Sequence, residues 1–297
     1  MKWTGIIPAI TTPFKPDLSV DHEFLARHAR WLADNGCSGI VALGSLGEGA
    51  TLRFEEKLEV LRTCAAALRG KAPLVAGISA LSTAEADQLA RKAAEAGCEG
   101  LMALPPYVYS TDWREMKAHI EAILRATGLS CMLYNNPISY KTDFLPEQIR
   151  ELADAHPNLH AVKESSADVR RIAAIRALCA RGFAILVGVD DLIVEGIQAG
   201  AVGWIAGLVN ALPRESVSLF NLAQSGDMEK AFELYRWFLP LLRMDTVPKF
   251  VQLIKLVQQE VGMGSARVRP PRLELAGQEF EDAVATIRTA LKRRPVL

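Results

Sequence analysis

The chain has no apolar run of the roughly 18 residues that a membrane span needs, no paired cysteines and no surplus of charge of either sign. Each absence removes a class of function. No transmembrane role is expected, and the opening MKWTGIIPAITTPFKPD lacks the basic, apolar and small-residue order of a secretory signal, so the expected location is cytoplasmic. The 34 Lys and Arg balance the 34 Asp and Glu, which gives no electrostatic reason to expect nucleic acid or an anionic membrane as partner. A small-molecule ligand is the default. Cys37, Cys64, Cys98, Cys131 and Cys179 stand singly without a CxxC and read as small buried hydrophobes. The five histidines are equally scattered, with no HExxH, so no metal is expected. No GxGxxG or Walker-type glycine loop follows the first apolar run, and no cofactor is expected.

What is present is a rhythm. Eight short apolar runs recur between longer amphipathic stretches: GIIPAITTPF near residue 5, GIVALGS near 39, LVAGIS near 74, GLMALPP near 100, SCMLYNN near 130, HAVKES near 160, FAILVGVD near 183 and AVGWIAGL near 201. Runs that are apolar throughout suit parallel strands covered by helices. STAEADQLARKAAEAG typifies the stretches between them, with Ser82 or Thr83 to cap its start and Gly97 to end it. Three helix-to-strand joints, DNGCSGIVALG, EAGCEGLMALP and QAGAVGWIAGL, repeat one design. An open doubly wound sheet would show similar joints, but eight units in about 210 residues favour a closed (β/α)8 TIM barrel. The predicted organisation is a barrel over residues 1–212 and a helical extension over 213–297 packed on it.

In a closed barrel the C-terminal ends of the strands converge on one mouth, where such folds carry their chemistry. The residues there are Thr11 and Thr12, the turn Gly44-Ser45-Leu46-Gly47-Glu48, Pro105-Pro106-Tyr107, Tyr134-Asn135-Asn136-Pro137, Lys163 and Gly188-Val189-Asp190-Asp191. Lys163 lies inside an apolar strand. An amine buried there loses solvation, which favours the free base that attacks carbonyl carbon. A phenol on the neighbouring strand, Tyr134, can shuttle the protons that imine chemistry requires. Backbone N–H groups and the Ser45 hydroxyl in the glycine-flanked turn can hold a carboxylate. Glu48 reads as a cap of the following helix, and Asp190 and Asp191 read as N-capping acids.

The pieces IIPAITTPF, GSLGE, TAEADQLARKAAEAGCEGLMALPPY, LYNNP, AVKESS and GVDD stand in the order and spacing of one family. Over nearly its whole length the chain resembles the dihydrodipicolinate synthase and N-acetylneuraminate lyase superfamily of Schiff-base enzymes. The resemblance implies that Lys163 forms an imine with a 2-oxo acid, that Tyr134 relays protons and that the Ser45–Leu46 turn binds the carboxylate. Tyr107, Val189 and Ile205 join the candidate substrate-binding set. The resemblance also implies a homotetramer of tight dimers, with Tyr107-Val108 near the neighbouring subunit's site.

The sequence departs from the synthase pattern at three points. Leu46 replaces the second threonine of GTTGE, Val108 replaces a relay tyrosine, and Ser139 stands where an arginine holds the second substrate's carboxylate. A valine has no proton to pass. A lost guanidinium removes a charge-assisted contact worth roughly 1.5–3 kcal/mol. With YNNPISYKTD and YRWFLPLLRMDTVPKFVQLIKL, the pattern looks most like the branch that deaminates 1-pyrroline-4-hydroxy-2-carboxylate to 2-oxoglutarate semialdehyde. Asn136 and Tyr140 are then the candidates for reading the substrate hydroxyl. The alternatives are a dihydrodipicolinate synthase-like lyase, an aldolase or dehydratase of a 2-keto-3-deoxy sugar acid, and a non-catalytic binding protein on the same fold.

Overall fold

The computed structural model describes residues 1–106 and 112–297. Its strands are β1 (Gly5–Pro8), β2 (Ile40–Ala42), β3 (Leu74–Ile78), β4 (Gly100–Ala103), β5 (Ser130–Asn135), β6 (Leu159–Glu164), β7 (Ala184–Val187) and β8 (Gly203–Ala206). They pair in parallel in the order β1-β8-β7-β6-β5-β4-β3-β2. The two ends of that order also meet. Ala9 bridges Val41 in parallel, and the Ile10 N–H donates to the Val41 carbonyl at 2.9 Å. The sheet therefore closes on itself as the expected (β/α)8 barrel, and each apolar run read from the sequence supplies one strand.

Between the strands lie α1 (His22–Asp34), α2 (Phe54–Leu68), α3 (Thr83–Glu95), α4 (Trp113–Arg125), the single turn α5 (Pro137–Tyr140), α6 (Pro146–Ala155), α7 (Arg170–Leu178) and α8 (Ile193–Gln198). The local signals act as read: the Ser82 hydroxyl accepts the Glu85 N–H at 3.2 Å at the start of α3. Gly36, Gly97 and Gly200 take φ of 94°, 94° and 106° at the three similar joints, a conformation that glycine adopts without the Cβ penalty.

The remaining chain forms α9 (Pro213–Ser225), α10 (Met228–Leu242), α11 (Phe250–Glu260) and α12 (Gly277–Lys292). Helix α9 packs on α8 and β1, while α10 and α11 both pack on α12. One hydrophobic core runs through both parts, including Trp204 of β8 and Phe238 and Ile254 of the extension. The extension thus shares the barrel's core and reaches the mouth. Among the described residues no helix is long and apolar enough to cross a membrane.

Candidate active site

Strand register brings the amine and the phenol together. Tyr134 of β5 pairs with Lys163 of β6, and the Lys163 Nζ lies 4.1 Å from the centroid of the Tyr134 ring. Both are buried, at 7% and 4% exposure. The Tyr134 oxygen accepts a hydrogen bond from the Asn136 amide at 2.9 Å, so the phenolic hydrogen is left to donate elsewhere. The other end of the Asn136 amide accepts the Ser139 N–H at 3.0 Å at the start of α5. Asn136 therefore orients Tyr134 rather than standing apart from it.

Room for the lysine comes from the next strand. A Cβ on Gly188, just after β7, would lie 2.6 Å from Lys163 Cε, 2.8 Å from its Cγ and 2.0 Å from Ser165 Oγ. Any larger residue would push the amine out of place. Ser165 is fully buried, and its hydroxyl has no partner among the described residues. Nothing in the sequence assigns Ser165 a role beyond its spacing, two residues after the lysine.

The GSLGE turn is a strained, locked structure and not an ordinary tight turn. Leu43 and Glu48, neither of them glycine, take φ of 66° and 53°, which tertiary contacts must hold in place. A Cβ on Gly49 would meet the Leu43 carbonyl oxygen at 2.2 Å, and one on Gly47 the Ile10 carbonyl oxygen at 2.9 Å. The Thr12 hydroxyl donates to the Gly47 carbonyl at 2.6 Å, and Thr11 donates to Gln258 of α11 at 2.8 Å. Neither the Ser45 nor the Leu46 N–H has an acceptor among the described residues. Glu48 does not cap the following helix as expected. Its carboxylate is buried, bound by the Lys255 ammonium of α11 and by the Arg269 N–H at 3.0 Å. The extension pins the turn through this ion pair, and sequence reading missed it because its partners are about 200 residues apart.

Tyr140 joins the same group. Its hydroxyl and that of Ser45 are hydrogen-bonded, and its ring stands edge-on to Tyr134, with centroids 5.8 Å apart and planes at 89°. The hydroxyl pair links the GSLGE turn to α5. Leu46 and Ile205 are buried, Val189 is half-buried and Ser139 is exposed. Tyr107 and Val108 lie outside the described residues.

The acids after β7 also differ from expectation. Asp190 does not cap its own helical turn; it is fully buried and accepts from Trp204 Nε1 at 2.9 Å, from the Gly207 N–H and from the Leu208 N–H at 2.8 Å. It ties the loop after β7 to the one after β8. Burial raises its pKa to about 6 against the pull of these donors. Asp191 faces Arg243 at 3.6 Å, and its carbonyl accepts from the Tyr235 hydroxyl. Glu164, beside Lys163, accepts from the Ser166 N–H at 2.7 Å and the Asn135 amide at 3.1 Å, and desolvation pushes its pKa up. Among the described residues no group of His, Cys, Asp and Glu could hold a metal ion.

With this geometry in place, comparison with known proteins decides the family. The model of the dihydrodipicolinate synthetase family matches residues 2–290. The chain belongs to the dihydrodipicolinate synthetase family. A 4-hydroxy-tetrahydrodipicolinate synthase of Caldicellulosiruptor bescii is 33% identical over 275 residues, covering 92% of this chain and 90% of the relative. A putative dihydrodipicolinate synthetase from Pseudomonas aeruginosa superposes with a TM-score of 0.91 at 30% identity, covering 98% of this chain and all of the other. A prophage protein of the family from E. coli K12, solved in complex with pyruvate, gives a TM-score of 0.91 at 26% identity over 97% of this chain and 99% of that one. The protein is thus an enzyme of a lyase family.

Proposed function

We propose that the protein forms an imine between Lys163 and a small 2-oxo or cyclic 2-imino acid, with Tyr134 as proton relay and the Ser45–Leu46 turn as carboxylate cradle. One observation carries this reading: a buried amine 4.1 Å above a tyrosine ring whose hydroxyl accepts from Asn136 and has no acceptor for its own proton among the described residues. Within that chemistry the proposed substrate is 1-pyrroline-4-hydroxy-2-carboxylate. Lys163 attacks C2, the ring C2–N bond breaks, the 4-hydroxyl leaves as water, and hydrolysis returns 2-oxoglutarate semialdehyde and ammonia.

The second reading is condensation of pyruvate with aspartate semialdehyde. The curated relatives are named 4-hydroxy-tetrahydrodipicolinate synthase, which favours this alternative over the deaminase. The deaminase reading rests on the departures at Leu46, Val108 and Ser139, which remove a hydroxyl, a relay phenol and a guanidinium suited to a second, acidic substrate. The two separate in one experiment. Ammonia release from 1-pyrroline-4-hydroxy-2-carboxylate is measured beside condensation of pyruvate with aspartate semialdehyde at equal enzyme concentration. Fast condensation without ammonia release assigns the protein to synthase chemistry; consumption of a 2-keto-3-deoxy sugar acid alone assigns it to the aldolase or dehydratase alternative. Assembly as a homotetramer is part of the proposal, and light scattering tests it.

A further inference from the structure

The mouth contains a carboxyl group for which the chemistry above has no use. Asp245 follows α10, and its carboxyl lies flat on Gly207, the residue after β8. A Cβ on Gly207 would meet Asp245 Oδ1 at 2.0 Å, Cγ at 2.4 Å and Oδ2 at 2.7 Å. Its Oδ1 is shielded from solvent and has no hydrogen-bond partner among the described residues. An unpartnered buried carboxyl oxygen costs stability, so it calls for an explanation.

Asp190 meets the same glycine at its backbone N–H. The Gly207 N–H donates to both Asp190 oxygens, at 3.2 and 3.1 Å. Two carboxyls packed on one glycine, Asp190 fully buried and Asp245 half-buried with one shielded oxygen, cannot both ionise cheaply; one takes the charge and the other keeps its proton. The donors decide which. Asp190 holds the Trp204 indole N–H and the Leu208 N–H as well as Gly207, whereas Asp245 Oδ1 holds none. Asp190 is therefore the carboxylate and Asp245 the neutral acid. Consistent with this, burial and the Asp190 charge push the Asp245 pKa well above the ordinary carboxylate range, with Lys163 opposing and Asp191 adding to the rise.

We propose that Asp245 is a catalytic acid of this site, protonating a hydroxyl that leaves from the carbon two positions beyond the imine carbon. This deepens the reading of the previous subsection and rests on it. After C3 of the lysine imine loses a proton to the Tyr134 relay, the substrate is an enamine. The nitrogen lone pair re-forms the C2=N bond and the C2=C3 pair moves to C3=C4. The C4–O bond breaks with its electron pair on oxygen, which takes the Asp245 proton and departs as water. Asp245 is left as carboxylate and regains its proton from solvent. No oxidant, metal or second substrate is required.

The test uses full-length Asp245→Asn and Asp245→Ala proteins and two readouts. Borohydride trapping with pyruvate reports imine formation, which needs Lys163 but no leaving group. Ammonia release from 1-pyrroline-4-hydroxy-2-carboxylate reports the elimination. In both variants pyruvate adduct is expected at the wild-type level, with turnover down by roughly 10²–10⁴, the scale of general acid catalysis. Turnover within threefold of wild type overturns the proposal. Loss of the pyruvate adduct in a folded variant also overturns it and makes Asp245 a residue that holds Lys163. Thermal melting guards against misfolding: removal of an unpartnered acid should leave the melting temperature unchanged or raise it, and a structural role predicts a fall. If the wild-type enzyme releases no ammonia, the deaminase reading has failed, and Asp245 is tested separately. Trapping is then compared between 4-hydroxy-2-oxopentanoate and 2-oxopentanoate. A wild-type preference for the hydroxylated acid that Asp245→Ala abolishes upholds the role at that hydroxyl; equal trapping of both by wild type overturns it.

Discussion

Gly188→Ala removes no functional group, yet it should cripple the enzyme. The added methyl carbon would lie 2.6 Å from Lys163 Cε and 2.8 Å from Cγ, where ordinary contacts begin at 3.4 Å. The lysine stem must therefore give way by about 0.8 Å. The same methyl carbon would lie 2.0 Å from Ser165 Oγ, so that hydroxyl must move as well. A displacement near 1 Å of a reacting group costs on the order of 10²-fold in rate, or about 2.7 kcal/mol of barrier. The assay is quenched-flow borohydride trapping with saturating pyruvate, followed by intact mass. The expected result is an adduct that still forms at Lys163, about a hundredfold more slowly, in a protein of wild-type secondary structure. Trapping within twofold of wild type would show that the lysine stem has slack, and the argument that this glycine positions the amine would be refuted.

Further outcomes follow from the same geometry. Lys163→Ala should abolish the pyruvate adduct, and a wild-type adduct level would move the nucleophile elsewhere. Tyr134→Phe keeps the ring beneath the amine but loses its proton, so turnover should fall roughly 10²–10⁴-fold while circular dichroism stays unchanged; near-normal turnover would make Tyr134 a packing residue. Lys255→Met leaves the Glu48 carboxylate buried without its ammonium, which should destabilise the protein by roughly 3 kcal/mol in urea unfolding and weaken carboxylate binding at the GSLGE turn; an unchanged midpoint would contradict this. Burial lowers the pKa of His28 to about 4, below its unfolded value near 6.5. The unfolded state thus binds the extra proton first, and the stability is present above that value and lost as pH falls toward 4. Between pH 7 and pH 5 the loss should be on the order of 2 kcal/mol, and it should disappear in His28→Gln; an equal pH dependence in the variant would assign the slope to other groups.

The barrel was legible in the sequence because its signals are local. Apolar runs, Ser82 at a helix start and Gly36, Gly97 and Gly200 at helix ends each act within a few residues of themselves, so their pattern survives in one dimension. Lys163 stood out for the same reason: an ammonium inside an apolar strand is anomalous among its own neighbours. Its pairing with Tyr134 needed only the strand order. The surrounding acids and hydroxyls were a different matter. Glu48 and Asp190 read as caps because a carboxylate before a helical turn is most often one; the ammonium that holds Glu48, Lys255, is 207 residues away, and although strand order places β8 beside β7, only the packed loops aim the Trp204 and Leu208 N–H groups at Asp190. Tyr140 reaching Ser45, and Asp245 lying on Gly207, are likewise contacts between distant stretches. Which acid carries the charge and which keeps its proton depends on the count of N–H donors and on desolvation at the mouth of the barrel, and those exist only after the barrel and its extension have packed together.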